Sequence, residues 1–202
     1  MYGLTECKRV SFLPPAELER RPTSIGRGMP NEEIWLVDEH GQRLGPGQQG
    51  ELVIRGSNLM RGYWNRPEET ARVFRQTPCG ERILYSGDLM WMDEEGFFHF
   101  VGRRDDLIKS RGEKVYPREV EDALYAIPGI IEAAVLGVPD ATLGQMIVAH
   151  VVAAPAAELS QERILEFLSG QLEPSAMPKA VYFHDSLPKN ESNKIDKLAL
   201  KQ

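Results

Sequence analysis

GRRDDLIKSRGEKVYPREVE, residues 102–121, decides how the chain is organised. Its charges crowd between Gly102 and Gly112, and after Gly112 the pattern changes. Val115, Tyr116 and Pro117 lead into Glu119 and Glu121 at helical spacing. Proline suits the first position of a helix, where its missing N–H would have no partner. Glutamates in that first turn face the positive end of the helix dipole. The stretch therefore predicts a strand end, a charged turn, a short hairpin around Gly112 and then a helix. So charged a turn is not core; it belongs between two bodies or against a polyanionic ligand.

From Pro117 onward the pattern is regular. Val120, Ala123, Leu124 and Ile127 form an apolar helical face that Pro128-Gly129 ends. Residues 130–139 and 146–154 read as strands joined by DATLGQ, and AVYFH (180–184) as a third. Ser160 is placed to cap a helix through Leu172 whose inner face holds Ile164, Leu165, Leu168 and Leu172. The tail LPKNESNKIDKLALK reads as a polar loop with a short closing helix. His150, inside an apolar strand, reads as a core or edge histidine.

Before residue 102 the strands are short and separated by turns. IWLVD (34–38) is closed by HGQ, and ELVIRG (51–56) puts Leu52 and Val53 on opposite faces. FHFVGR (98–103) follows a hairpin at Gly96 and delivers Arg103 to the central turn. RPEETARVF (66–74) looks helical, with Pro67 at its start, and residues 14–30 read as an exposed loop. Tyr63 and Trp64 read as packing. The fold class is thus α+β: a short β-rich, barrel-like subdomain over 1–104, then a small α+β domain over 105–202 with a three-stranded sheet and helices.

Composition narrows the function. With 202 residues, 42% hydrophobic and 27% charged, the chain has room for one large or two small soluble domains. A formal charge of −6 argues against a general nucleic-acid binder. The basic group Arg103, Arg104, Lys109, Arg111 and Lys114 lacks the interleaved aromatics of a stacking platform. Cys7 and Cys79 have no metal-ligand spacing, which points to a reducing, cytoplasmic setting. No apolar run approaches a membrane span, and MYGLTECKRV has no signal-peptide pattern. Two short motifs carry chemistry. YGLTE (2–6) offers a ring for a base, a hydroxyl for phosphate and a carboxylate for Mg²⁺. In YSGDL (85–89), Asp88 follows an apolar approach, and a carboxylate at a strand end can accept from a ribose diol.

Taken in order, YGLTE, GELVIRGSNLMRGYWNRPEET, YSGDL, GRRDDLIKSRGEKVYPREVE and LPKNESNKIDK resemble the carboxyl-terminal half of the adenylate-forming superfamily. That superfamily holds AMP-forming acyl-CoA synthetases, peptide-synthetase adenylation domains and luciferases. The resemblance covers almost the whole chain. GEKVYPREVE and GYWNRPEET look like the acyl-CoA ligase branch.

The resemblance implies ATP-dependent activation of a carboxylic acid to an acyl-adenylate, then thioester formation with CoA. ATP, Mg²⁺ and CoA, or a phosphopantetheine carrier protein, follow as co-substrates and cofactors. It implies adenine stacking by Tyr2, phosphate binding by Thr5, Mg²⁺ at Glu6, ribose at Asp88 with Arg103 nearby, and a hinge at Asp105. It also implies passage of the thiol arm at Gly112 and a catalytic amine at Lys194, in the small domain that acts as a lid. Asn193 stands where the family usually has glycine, and asparagine tolerates left-handed backbone. Lys189 and Lys197 are the fallback amines. The family's phosphate loop and most of its acyl pocket precede YGLTE, so the chain alone is expected not to form acyl-adenylate at a normal rate. The expected partners are nucleotide, acid and a polypeptide carrying the missing half. The alternatives are a stand-alone lid or interaction module, and an adenylation domain that loads a carrier protein.

Overall fold

A computed structural model describes residues 1–155 and 157–201. The chain divides into two compact units, Met1–Asp105 and Asp106–Gln202.

The first unit is built on β1 (Ser11–Phe12), β2 (Ser24–Gly28), β3 (Glu32–Val37), β4 (Gln49–Gly56), β5 (Phe74–Gln76), β6 (Arg82–Met92) and β7 (Phe98–Arg103). These form one antiparallel sheet in the order β1-β2-β7-β6-β4-β3, with β5 on β6. The hydrogen-bonded order runs from β1 at one end to β3 at the other. Leu52 and Ile54 of β4 pack with Leu36, Leu84, Met90 and Phe98, while Val53 joins Val37 and Ile83 in a separate cluster. That is the two-faced alternation the sequence shows. Helix α1 (Pro67–Val73) starts on proline with Glu68 and Glu69 in its first turn.

Residues 14–30 are not simply a loop: they contain β2, an interior strand between β1 and β7. Gly26 explains why the pattern hides it. With φ +89, its added Cβ would stand 1.8 Å from the Phe12 carbonyl oxygen, so two backbones touch where a side chain would normally mark the strand. The same segment buries Arg21, whose guanidinium bonds Glu17, Asp93 and Glu95.

The second unit holds β8 (Ile108–Ser110), β9 (Glu113–Val115), α2 (Pro117–Tyr125), β10 (Ile130–Asp140), β11 (Gly144–Ala153), α3 (Gln161–Ser169) and β12 (Ala180–Phe183). Its sheet has five strands, not three: the β8–β9 hairpin joins in the order β10-β11-β8-β9, and β12 pairs with β11. Ser110 faces Glu113 across a two-residue turn of Arg111 and Gly112, at φ 55 and 84. Two positive φ values suit the primed turns that match strand twist. This is the short hairpin expected around Gly112; strands three residues long carry too little alternation to show that they join the sheet.

Helices α2 and α3 cover one sheet face, burying Val120, Leu124, Ile164 and Leu168 against Val135, Ile147, Ala149 and Val151. Ser160 caps α3 by accepting from Arg163 N, and the helix ends at Ser169, short of Leu172. The opposite face carries Ala134 and Val152, on which the tail residues Leu187, Ile195 and Leu200 pack. His150 is buried, its Nδ1 2.9 Å from His184 Nε2. Among the described residues, no helix is long and apolar enough to cross a membrane.

Candidate functional site

YGLTE does not form a regular strand. Isolated bridges Tyr2–Ser11 and Cys7–Leu59 pin it at both ends, and Met60 N donates to Glu6 O at 2.8 Å. Gly3 is required by the chain itself, since a Cβ there would lie 2.1 Å from the Lys8 carbonyl oxygen. Thr5 is left exposed between them, with Glu6 half-buried beside it.

Asp88 sits inside the eleven-residue strand β6, not at its end. It sits at a break in the ladder. Glu51 of β4 pairs with Leu89, but Val53 pairs with Tyr85, so three residues of β6 stand opposite Leu52 alone. Gly87 at φ 71 allows this bulge, and Ser86 Oγ fills it by donating to Leu52 O at 2.8 Å and accepting from Asp88 N at 3.1 Å. Glu51 accepts from Gly87 N at 2.9 Å and pairs with Arg104 at 2.7 Å. A bulge turns one side chain out of register, a device common beside functional sites.

The bulge brings Asp88, only 2% exposed, to Tyr2, whose hydroxyl donates to Asp88 Oδ2. Arg103 is the cross-strand partner of Asp88 on β7, and its Nε lies 3.1 Å from Asp88 Oδ1. No N–H is aligned on that line, so Oδ1 is a buried acceptor without a hydrogen-bond donor among the described residues. The two observations agree once separated: Arg103 supplies charge, not a directed bond. Burial pushes the Asp88 carboxyl up; the Tyr2 bond and Arg103 oppose this only in part, and Glu6 and Glu51 add to it. Burial beside this carboxylate likewise drives the Tyr2 phenol far above its ordinary value.

Glu6 has a partner that sequence reading missed. The Tyr63 hydroxyl donates to Glu6 Oε1, and burial followed by this bond raises the Tyr63 phenol to about 12. Tyr63 is therefore more than packing, and Trp64, at 90% exposure, does not pack at all. No local signal links residues 57 apart in sequence; only the fold reveals the pair. The structure thus groups Tyr2, Glu6, Asp88 and Arg103, with Tyr63 added. A cavity of about 770 Å³ lies elsewhere, lined by Glu32, Glu33, Arg55, Glu81 and Arg82 among others. Arg55 there is already paired with Glu33 and Glu81, so the space offers little uncompensated charge to a ligand.

Asp105 lies in a single 3-10 turn, Arg104–Asp106, with its side chain 81% exposed and 3.8 Å from Arg104 Nε. Gly112 faces open space: nothing lies within 4 Å of where its Cβ would be. Lys194 is exposed and follows Asn193, which holds φ 58. No ion pair engages its ammonium among the described residues. Both fallback lysines are engaged: Lys189 with Glu132 at 2.6 Å and Lys197 with Glu121 at 2.7 Å.

Two family models match the chain: the AMP-binding enzyme over residues 1–64 and the AMP-binding enzyme C-terminal domain over residues 119–194. The first contains Tyr2, Thr5, Glu6 and Tyr63, and the second ends on Lys194. A long-chain-fatty-acid–CoA ligase of Bacillus subtilis (strain 168) is 39% identical over 96% of the chain and 34% of its own length. A feruloyl-CoA synthase of Amycolatopsis sp is 39% identical over 96% of the chain and 39% of its own length. The o-succinylbenzoate CoA synthetase of Bacillus subtilis superposes with a TM-score of 0.90 in complex with its acyl-adenylate intermediate, at 33% identity over 100% of the chain and 40% of that protein. Its complex with ATP and magnesium superposes at 0.89. The chain therefore spans between a third and two fifths of the proteins it matches. With both family models in chain order and this fold throughout, the chain belongs to the adenylate-forming, AMP-binding enzyme family and corresponds to the carboxyl-terminal part of its acyl-CoA ligase members.

Proposed function

We propose that the chain serves an AMP-forming acid–thiol ligase, which joins a carboxylic acid to AMP and then passes the acyl group to the thiol of CoA. One observation carries this reading: the buried Asp88 Oδ1, which faces the Arg103 guanidinium at 3.1 Å but accepts no aligned hydrogen bond from any described residue. A buried carboxylate oxygen without a donor is costly unless a ligand completes it. A ribose hydroxyl is such a donor, and Tyr2 beside it presents the ring that would lie on adenine. Relatives of this family include proteins captured with ATP and magnesium and with an acyl-adenylate, which supports nucleotide as the ligand.

Activation sets a carboxylate against a polyphosphate, so negative charge must be neutralised as the new bond forms. Glu6 fits a Mg²⁺ site of the kind that uses one carboxylate and the substrate's phosphates, because Tyr63 occupies only its Oε1. That ion would supply charge neutralisation at the phosphates. Thr5 offers its hydroxyl to phosphate. Lys194 supplies the mobile ammonium, a compact charge on a flexible stem suited to a site completed by closure. Asp105 is the pivot, solvated in any position, and Gly112 leaves room for the thiol arm.

The test is a chimera in which the chain replaces the matching part of the Bacillus subtilis long-chain-fatty-acid–CoA ligase. Acyl-adenylate formation is expected, and Lys194→Ala should lower it about 10²- to 10³-fold, the usual loss of one positioned charge-stabilising donor. Lys189→Ala and Lys197→Ala should fall less, since each leaves the Lys194 ammonium present. A fully active Lys194→Ala chimera refutes the reading. Thioester formed on a carrier protein but not on CoA would move the acceptor, not the first half-reaction. The chain by itself is expected to show no pyrophosphate exchange at a ligase rate.

A further inference from the structure

Lys194 sits at the end of a loop that one side chain builds. Lys189 bridges Ile195, and Asn190 N donates to Lys194 O at 2.8 Å. Across this gap the Asn190 carboxamide oxygen accepts from Ser192 N at 3.0 Å and from Lys194 N at 3.1 Å. Asn193 N returns to Asn190 O at 2.9 Å, with Asn193 in the left-handed region at φ 58. Asparagine side chains commonly organise turns in this manner. The loop is then fastened at both ends. On one side, Lys189 Nζ meets Glu132 Oε1 at 2.6 Å while Glu132 Oε2 accepts from Leu187 N at 3.2 Å. On the other, Lys197 Nζ meets Glu121 Oε1 at 2.7 Å, and the same oxygen accepts from Val135 N at 2.9 Å. Leu187 and Ile195 pack beneath on Ala134 and Val152. Of the three lysines in this segment, two fasten the loop and one projects from it.

We propose that Asn190 is a positioning residue for Lys194: its side-chain oxygen fixes the backbone from which the lysine projects, and the Glu132–Lys189 and Glu121–Lys197 pairs fix that backbone to the small unit. The proposal rests on the ligase reading above. A flexible lysine stem has many rotamers to lose on engaging a substrate, so a rigid base lowers what remains to be ordered. Misplacing a reacting group by about 1 Å can cost roughly 10²-fold in rate.

The test uses the full chain for structure and the chimera for chemistry. In the full chain, Asn190→Ala should speed amide exchange at Ser192 and Lys194 about 10-fold, the order expected for one hydrogen bond, with Val135 and Ala149 unchanged. Asn190→Asp, which keeps the acceptor, should restore protection. In the chimera, Asn190→Ala should lower kcat for acyl-adenylate formation about 10- to 100-fold with KM for ATP nearly unchanged. Thioester formation from supplied acyl-adenylate should keep its rate, and Asn190→Asp should recover the first step. Unchanged exchange, or unchanged kcat where Lys194→Ala does lose activity, overturns the proposal. Full activity in Lys194→Ala itself overturns the ligase reading and takes the proposal with it. That failure is recognised by its independence from residue 190.

Discussion

Tyr2→Phe probes the site without removing the ring that the nucleotide would stack on. The phenol is the one directed donor to the Asp88 side chain among the described residues, because Arg103 lies near Oδ1 without an aligned N–H. Asp88 is 2% exposed, so water does not replace the lost bond. A hydrogen bond to a charged partner is worth about 1.5–3 kcal/mol. A unit of roughly a hundred residues loses about 1 kcal/mol per molar urea, so the unfolding midpoint of the first unit should fall by about 1.5–3 M near neutral pH. All three tryptophans, Trp35, Trp64 and Trp91, lie in Met1–Asp105, so indole fluorescence follows this unit alone.

The pH dependence supplies a second check. Burial raises the Asp88 carboxyl in the folded protein. A raised carboxyl means that the folded state binds more protons than the unfolded one, so its contribution is full below the unfolded value of about 3.9 and is lost as pH rises through the folded value. Phenylalanine removes a bond that favours the ionised form and pushes Asp88 higher still. The gap between wild type and Tyr2→Phe should therefore be small near pH 4, widen as pH rises, and level off above the variant's carboxyl. A midpoint unchanged near neutral pH, or a gap that widens on acidification, would refute this account of the site.

Gly26→Ala forces a Cβ onto the Phe12 carbonyl at 1.8 Å, so the first unit should lose its native tryptophan emission without denaturant. Gly112→Ala meets nothing within 4 Å and should cost only the left-handed strain of about 1–2 kcal/mol, read as a modest midpoint shift by circular dichroism. Asn193→Val should destabilise the tail loop more than Asn193→Gly, since φ 58 suits glycine and disfavours a β-branched residue; amide exchange at Lys194 reads the order. Burial, then the neighbouring His184, lowers His150, so the second unit's stability is present above pH 6.5 and falls as acid charges the unfolded chain first. His150→Leu should flatten that fall, followed by amide exchange in β11.

How much of this was legible in the sequence follows the range of each interaction. Helix α2 was readable because proline, two glutamates and an apolar spacing all lie within nine residues. Strand β2 was not, because its fit depends on Gly26 against Phe12, a contact between backbones that leaves no apolar signature. The β8–β9 hairpin was legible as a short hairpin around Gly112, but nothing in three-residue strands announces that they extend a sheet. Asp88 was found for its residue type and given the wrong setting, since the bulge that aims it is set by pairing with Glu51 and Val53, 37 and 35 residues away. The Glu6–Tyr63 pair was missed for the same reason.

The three tail lysines show what structure adds when motif and composition agree. Lys189, Lys194 and Lys197 carry the same charge within nine residues, and spacing alone ranks none of them. Each of the outer two meets a carboxylate that also accepts a backbone N–H, Leu187 for Glu132 and Val135 for Glu121. A lysine so engaged must break its pair before it can meet a substrate, and breaking it strips the carboxylate of its countercharge. Among the described residues Lys194 has no such pair; it is exposed and follows the left-handed turn at Asn193. The asparagine that departs from the family's usual glycine therefore adopts the conformation glycine would be chosen for, and the departure leaves the projecting lysine in place.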